Sequence, residues 1–541
     1  MSATIQQTID QLRRTLTDYI EATYHIGHPS MVAQRKRLLE EVEGIFQIPY
    51  LESTPRYVAR ETYQSMADLP VAAREAFVRL SDPTRGKPVI FNPPYTHQAR
   101  AVREVLVNNR NLMVMTGTGS GKTESFLLPI LGKLAVEAKE RSGNFRDFSA
   151  VRAIVLYPMN ALVNDQLGRL RLLFGHPSVV SMFETWAGRP ARFARYTSRT
   201  PYAGMRTPSK DSNRLSSIGD FFVAIEDAAH RHRDGRPGIA DEDAKASDLR
   251  ENLAKRGKWL AKPSVSDWFG RPHTHWRDRN GRYQRAVTGL HDAELLTRHE
   301  VHDSPPDLLI TNYSMLEYMM MRPIERPIFD KTREWLGICP EEKVLVVLDE
   351  AHLYRRAQDA EVGLLLRRLR ERLGVGPDRF QVICATASFS EEGQAIAGRF
   401  GAQLAGVPHD TFVPIRGELA KRSPEGAGSD SDADALVAVD LSKFYSAAEA
   451  AQIEGVRPFL RYRNQEIDGD LGKGLFAALH AFPPFNRLVN ETMVSAIPLA
   501  ELGHRIFPGV GGSKKARTTL AQNDFARLLV GLFEPFRRYR N

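Results

Sequence analysis

From Thr4 to about Gly44 the apolar residues Ile5, Ile9, Leu12, Leu16, Tyr19 and Ile20 recur at helical spacing between charged neighbours, which predicts an amphipathic helix followed by a second. Another helical stretch, VAAREAFVRL, lies between Pro70 and Arg85 and runs into SDPTRGKP, whose Asp, Pro and Gly residues mark a loop. From about residue 88 the pattern changes: short apolar runs alternate with longer helical ones, as NLMVMTG, ESFLLPILGKLAVEAKE, VRAIVLYP and NALVNDQLGRLRLLF. That order of strand, helix, strand and helix predicts a parallel α/β sheet. Three further strands read as DLLIT from Asp307, KVLVVLD from Lys343 and FQVICAT from Phe380.

Between the two groups of strands, residues 176–302 are rich in Arg, His, Gly, Pro and Ser, with RHRDGRPG and RPHTHWRDRNGRYQR, and show little sustained periodicity. The chain therefore divides into an N-terminal helical region (1–87), a first half-sheet (88–175), an Arg-rich insertion (176–302), a second half-sheet (303–408) and a mixed helical end (409–541). In the last segment SPEGAGSDSDADA reads as a loop or linker, and LGKGLFAALHAF and ARTTLAQNDFARLLVGLFEPFRRYR read as helical. No internal repeat is visible.

Composition narrows the class. Of 541 residues 42% are hydrophobic and 26% charged, with 39 Gly and 32 Pro, which excludes collagen-like and disordered chains. Lys and Arg number 74 against 65 Asp and Glu, a net charge of +9 that permits a polyanionic partner without requiring one. The two cysteines, Cys339 and Cys384, supply neither a disulfide framework nor a four-cysteine zinc site. No secretory start or run of about 18 apolar residues occurs, so a cytoplasmic protein that does not cross a membrane is expected.

Two motifs carry chemistry. In NLMVMTGTGSGKTESFLLPIL a strand enters a glycine loop and then a helix, the context of a phosphate-binding loop over Thr116, Gly117, Thr118, Gly119, Ser120, Gly121, Lys122 and Thr123. The glycines let backbone N–H groups wrap phosphates and the helix presents its positive end; Lys122 reaches the β and γ phosphates, and the Thr123 hydroxyl binds Mg²⁺. Thr116 stands where the strict pattern has Gly. In KVLVVLDEAH a buried strand ends in Asp349 and Glu350, so Asp349 can complete a Mg²⁺ shell and Glu350 can orient or deprotonate water. A helix-capping carboxylate pair is the bland alternative.

Taken in order, these segments resemble a superfamily 2 helicase of the DEAD/DEAH-box type, in the style of large bacterial helicases, from about Tyr95 to Ser388. The resemblance implies a RecA-like P-loop NTPase lobe using ATP and Mg²⁺. It makes Lys122, Asp349 and Glu350 catalytic, has Gln98 of YTHQ read adenine, and gives coupling of the nucleotide and nucleic-acid sites to His352 and to Thr386 and Ser388 of ATAS. YPMNALVNDQ and DLLITNYSMLEYM are similar to the family's nucleic-acid-contacting segments, which nominates Asn160, Gln166, Thr311 and Asn312. Arg195 and Arg199 of RYTSRTPYAGMR could grip a nucleic-acid backbone, a solvated basic loop being the alternative. A metal held by His230, His232, His273 and His275 is weakly suggested, since neither cysteines nor helical spacing supports them.

Two departures matter. Lys122 and Asp349 stand 227 residues apart, about twice the interval of a minimal member of the family, and the insertion accounts for the surplus. Residues 410–541 contain no QxxGRxxR-like motif of a second lobe, so another segment or subunit is expected to supply it. The expected function is an ATP-dependent helicase or translocase acting on DNA. The rivals are a nucleic-acid-binding or regulatory module that binds ATP without unwinding, and a P-loop ATPase acting on a protein.

Overall fold

The structure is a computed structural model that describes residues 5–40, 47–54, 56–117, 119–202, 204–233, 240–270, 275–353, 357–387, 394–445, 448–465 and 470–509. Backbone contacts divide the chain into two compact units, Tyr57–Glu418 and the combination of Met1–Arg56 with Leu419–Asn541.

The larger unit is built on eight strands: β1 Asn111–Met115, β2 Ala153–Tyr157, β3 Phe193–Arg195, β4 Glu294–Leu295, β5 Leu308–Asn312, β6 Val344–Leu348, β7 Phe380–Thr386 and β8 Phe412–Arg416. They form one parallel sheet in the order β4-β3-β5-β2-β6-β7-β1-β8. Alternate residues serve opposite cores, as strand geometry demands. Leu112, Val114, Val155, Ile310, Val347 and Ile383 face one core, with helices Val71–Ser81, Thr96–Leu106, Glu124–Glu140, Asn160–Leu173 and Pro177–Ala187. Met113, Ile154, Leu309, Val346 and Cys384 face the other, with helices Tyr313–Met321, Arg326–Ile338, Ala357–Leu373 and Gln394–Ala405. Burial on both faces is why β1, β2, β5, β6 and β7 read as near-continuous apolar runs.

The foot of the sheet holds a fully buried ion network. Arg152, just before β2, donates through Nη2 to Glu137 Oε1 (2.6 Å) and through Nη1 to Asp307 Oδ1 (2.9 Å), while Arg189 Nη1 donates to Asp307 Oδ2 (2.7 Å). Trp335 Nε1 donates to Glu137 Oε1 at 3.0 Å. Charges this deep are tolerated because each is paired and hydrogen-bonded.

Two expected boundaries move and one expected loop is helical. Residues 57–87 belong to the sheet unit, because Val71–Ser81 buries Ala73, Ala76 and Phe77 in the same core as Glu124–Glu140. The segment 176–302 is an insertion only in its middle, since Pro177–Ala187, β3 and β4 are parts of the lobe; strands of two or three residues leave no periodicity to read. Between β3 and β4, helices Pro208–Ile218, Ala224–Arg233, Ala240–Lys255 and Val265–Phe269 accompany a small core around Leu215, Trp259, Val265 and Trp268. Within SPEGAGSDSDADA, Ser429 caps a helix, Asp430–Val437, where a loop was expected.

In the smaller unit, Tyr50–Leu51 pairs antiparallel with Ile497–Pro498. Helices Glu449–Tyr462, Leu471–His480, Pro483–Val494 and Leu499–Ile506 surround Phe459, Phe482, Leu502 and Phe507. Among its described residues there is no parallel sheet. The helical reading of ARTTLAQNDFARLLVGLFEPFRRYR lies outside the described residues. No helix among the described residues is long and apolar enough to cross a membrane.

Candidate nucleotide site and its neighbouring surface

Because all eight strands run in parallel, their carboxyl ends share one edge, where ligands of open α/β sheets bind. Leu112–Met115 of β1 pairs with Ile383–Thr386 of β7, and the ladder continues through Thr116 N donating to Thr386 O at 3.3 Å. On the other side of β7, Leu348 of β6 pairs with Cys384. The glycine loop, DEAH and ATAS thus emerge side by side.

The glycine loop turns through Gly119 and Gly121, whose φ values of +75° and +69° suit only glycine without strain. It then enters helix Glu124–Glu140, with Thr123 buried just before the first turn. Lys122 Nζ lies 2.5 Å from Glu350 Oε1 and 3.5 Å from Asp349 Oδ1. Asp349 is nearly buried and accepts from Glu350 N at 2.9 Å. Burial pushes its carboxyl above the ordinary value, with Lys122 pulling the other way and Glu350 adding to the rise. Glu350 has φ +51°, a left-handed turn costing a non-glycine residue of order 1–3 kcal/mol. Its other oxygen, Oε2, lies 3.4 Å from His352 Nδ1, which shares a 3.0 Å hydrogen bond with Thr386 Oγ1. One chain of contacts therefore runs Lys122, Glu350, His352, Thr386.

Behind the loop, helix Thr96–Leu106 supplies a second hold. Gln98 Nε2 donates to Gly121 O (3.0 Å) and its Oε1 accepts from Tyr95 N (3.0 Å). The side chain expected to read a base is thus already bonded to backbone at both ends of its amide. His97 Nε2 donates to Ser120 O at 3.0 Å, and burial lowers its imidazole to about 4, so it stays neutral. Tyr57 packs edge-on to His97, with ring centroids 5.1 Å apart, and its hydroxyl stands beside Gly117. Sequence reading missed both residues: His97 had the signal of standing beside Gln98, whereas Tyr57 stands far from any motif.

The strand ends on the other side of β6 gather some of the nucleic-acid candidates. Asn312, at the end of β5, donates through Nδ2 to Asn160 Oδ1 (2.6 Å) and caps its own helix by accepting from Met315 N (2.7 Å). Arg195, ending β3, donates through Nη1 to Asn164 Oδ1 at 2.6 Å, and Arg199 is exposed in the following loop. Thr311 is a correction: it is fully buried and its hydroxyl donates to Tyr196 O at 2.6 Å, because the chain leaving β3 covers it. Gln166 is also buried, as are Val163, Leu167 and Leu170 of the same helix. Thr118, Ser388 and His273 lie outside the described residues. His230, His232 and His275 are exposed, and no cluster of His, Cys, Asp or Glu that could hold a metal occurs among the described residues.

A glycine loop opening a helix, a strand-end acidic pair facing its lysine, and a parallel sheet carrying both define a P-loop NTPase lobe of RecA type. Comparison with known proteins sharpens that class: residues 95–235 match the family model of the DEAD/DEAH box helicase. It is 38% identical over 526 residues to Druantia protein DruE of Escherichia coli (strain UMEA 4076-1), which takes in 93% of this chain and 27% of that protein. The chain therefore spans about a quarter of that relative's length. A shorter stretch of 83 residues is 42% identical to the ATP-dependent RNA helicase DBP7 of Meyerozyma guilliermondii, covering 15% of this chain and 11% of that one. Among solved structures, the DUF1998 helicase MrfA bound to DNA aligns with 82% of this chain and 40% of its own at 15% identity and TM-score 0.35. The DEAD-box helicase Mss116 bound to ssRNA aligns with 76% and 56% at 12% identity and TM-score 0.34.

Proposed function

We propose that this chain is the ATP-hydrolysing lobe of a DNA helicase or translocase. The observation that carries the reading is the meeting of Lys122, Asp349, Glu350, His352 and Thr386 at the ends of three adjacent strands. The residues present fit Mg-ATP. Gly119 and Gly121 free the loop backbone to face an anion, and Thr123 and Asp349 offer hard oxygen ligands of the kind Mg²⁺ takes. Bound Mg-ATP supplies the phosphoanhydride whose hydrolysis drives movement. Lys122 holds negative charge on the terminal phosphates, Thr123 and Asp349 hold the cation, and Glu350 orients water and takes its proton.

His352 and Thr386 tie Glu350 to β7, so a shift of the Glu350 carboxylate moves a hydrogen bond shared with the neighbouring strand. Asn160, Asn312, Arg195 and Arg199 form the nucleic-acid side, with backbone phosphates their ligands. A second RecA-like lobe, from another segment or subunit, completes the motor.

The test is ATP hydrolysis by the 541-residue chain alone, with single-stranded DNA and with single-stranded RNA, Lys122→Ala serving as control. Stimulation by DNA above RNA supports the reading. ATP binding without stimulated turnover, together with DNA binding that persists in Lys122→Ala, supports a regulatory binding module. A rate that neither nucleic acid changes points to a protein-directed ATPase.

A further inference from the structure

Residues 276–285, WRDRNGRYQR, belong to no part of the nucleotide site and form a hydrogen-bonded basic hairpin within the insertion. Arg277 and Tyr283 form an antiparallel bridge, closed by Asp278 N donating to Arg282 O (2.8 Å) and Gln284 N donating to Trp276 O (3.1 Å). The loop between is three residues, Arg279, Asn280 and Gly281. Gly281 N donates to Asp278 O (3.0 Å) and Gly281 has φ +76°, the left-handed third position such hairpin loops need. Asp278 is spent inside the turn, accepting from Asn280 N (2.9 Å) and Arg282 N (2.8 Å).

What remains at the tip is positive charge. Arg277, Arg279 and Arg282 are exposed, and no ion pair to any of them is present among the described residues. Arg277 is pre-set: its guanidinium sits 4.5 Å from the Tyr283 ring centre and 5.1 Å from that of Trp276, and its Nη2 donates to Tyr283 Oη at 2.6 Å. Ordering of that kind reduces the entropy lost on binding. The root of the hairpin is tied to the edge carrying Arg195. Trp276 Nε1 donates to an Asp211 carboxylate oxygen, Arg206 Nη2 bonds Asp211 Oδ2 (2.9 Å) and Arg285 O (2.6 Å), and Tyr202 Oη donates to Thr207 O (2.9 Å) in the loop that leaves β3.

We infer that the Arg277–Tyr283 hairpin is a phosphate-contacting element that grips duplex DNA beside the motor lobe. Polyanion chemistry follows from three guanidiniums that make no ion pair among the described residues, against the single carboxylate of Asp278, which is turned to backbone N–H groups. Duplex follows from the aromatics: Trp276 and Tyr283 are partly buried, edge-on to each other and capped by Arg277 and Arg206, so the hairpin presents guanidiniums for phosphates rather than an open stacking platform for unpaired bases. The inference rests on the nucleic-acid reading above and adds to it a contact outside the segments the DEAD/DEAH-box resemblance nominates.

The experiment is a salt titration of binding to a labelled DNA duplex of about two helical turns, using the full chain. Arg279→Ala/Arg282→Ala spares the Arg277 ring contacts and so the hairpin. Loss of two phosphate contacts lowers the slope of log K against log salt by about 1.8. The Lys pair at the same positions restores the slope, and ATP hydrolysis without DNA is unchanged in both. An unaltered slope in the Ala pair overturns the hairpin contact while leaving the motor reading intact, and so does a Lys pair as defective as the Ala pair. Failure of the parent chain to bind DNA overturns both.

Discussion

Glu350→Gln separates two things that one carboxylate does. Glu350 Oε1 lies 2.5 Å from Lys122 Nζ, and the side chains retain 26% and 15% of their exposure. For Lys122 to serve a phosphate it must exchange this carboxylate for phosphate oxygens. A hydrogen bond to a charged group nets about 1.5–3 kcal/mol, a neutral one about 0.5–1.5. Partial exposure argues for the low end of both. Replacing the carboxylate by an amide therefore relieves about 1 kcal/mol of competition, or about fivefold in Kd, and removing a negative charge near the phosphates acts in the same direction. Turnover moves the other way, since loss of a positioned base costs about 10²- to 10⁴-fold. Calorimetric titration with Mg-ATP gives the first number and phosphate release the second. Weaker or unchanged ATP affinity would refute the competition between Glu350 and phosphate for Lys122. Turnover comparable to the parent would remove Glu350 from its assigned role.

Three further outcomes follow from the same geometry. Gln98→Ala removes the amide linking Tyr95 N to Gly121 O, so the KM for ATP rises about 5- to 30-fold and any preference over GTP disappears; an ATP-to-GTP ratio equal to the parent's sinks the base-reading role. Asp307→Asn weakens a carboxylate that accepts from Arg152, from both terminal nitrogens of Arg189 and from Arg192 N, leaving two buried guanidiniums undercompensated; urea unfolding loses about 3–5 kcal/mol, and a loss under 1 kcal/mol contradicts the buried pairing. His97, His299 and His302 are each held at about 4 by burial, against an ordinary 6.5. Between those values the unfolded chain binds more protons, so stability is full above pH 6.5 and falls as pH drops toward 4, by up to about 1.4 kcal/mol per pH unit for each; urea midpoints that stay flat from pH 7 to 5 would contradict it.

What could be read from the sequence was set by how much apolar surface each element hides. β1, β2, β5, β6 and β7 are buried on both faces, so each announces itself as a mostly apolar run. β8 carries Pro414, which argues against a central strand and is tolerated because β8 lies at the sheet's edge. In the site, the convergence of Lys122, Asp349, Glu350, His352 and Thr386 was legible because each stands in a motif at or just beyond the end of a readable strand. Thr311 and Asn312 were not separable: neighbours on a strand face opposite ways, and which face a distant loop covers is decided by the three residues of β3 and the chain beyond them.

The pairing of Tyr50–Leu51 with Ile497–Pro498 also sets a timetable for the protein's making. Their register, Tyr50 opposite Pro498 and Leu51 opposite Ile497, is reinforced by Ser53 N donating to Thr492 O (3.1 Å) and Leu499 N donating to Pro49 O (3.0 Å). A ribosome adding about 5–20 residues each second delivers the partner strand roughly 20–90 s after the first has emerged. Throughout that interval Leu51 has no core to enter, while the complete sheet lobe of Tyr57–Glu418 is synthesised and free to fold. The early segment is thus a waiting strand, exposed to chaperones and proteases until the chain's distant part returns to it.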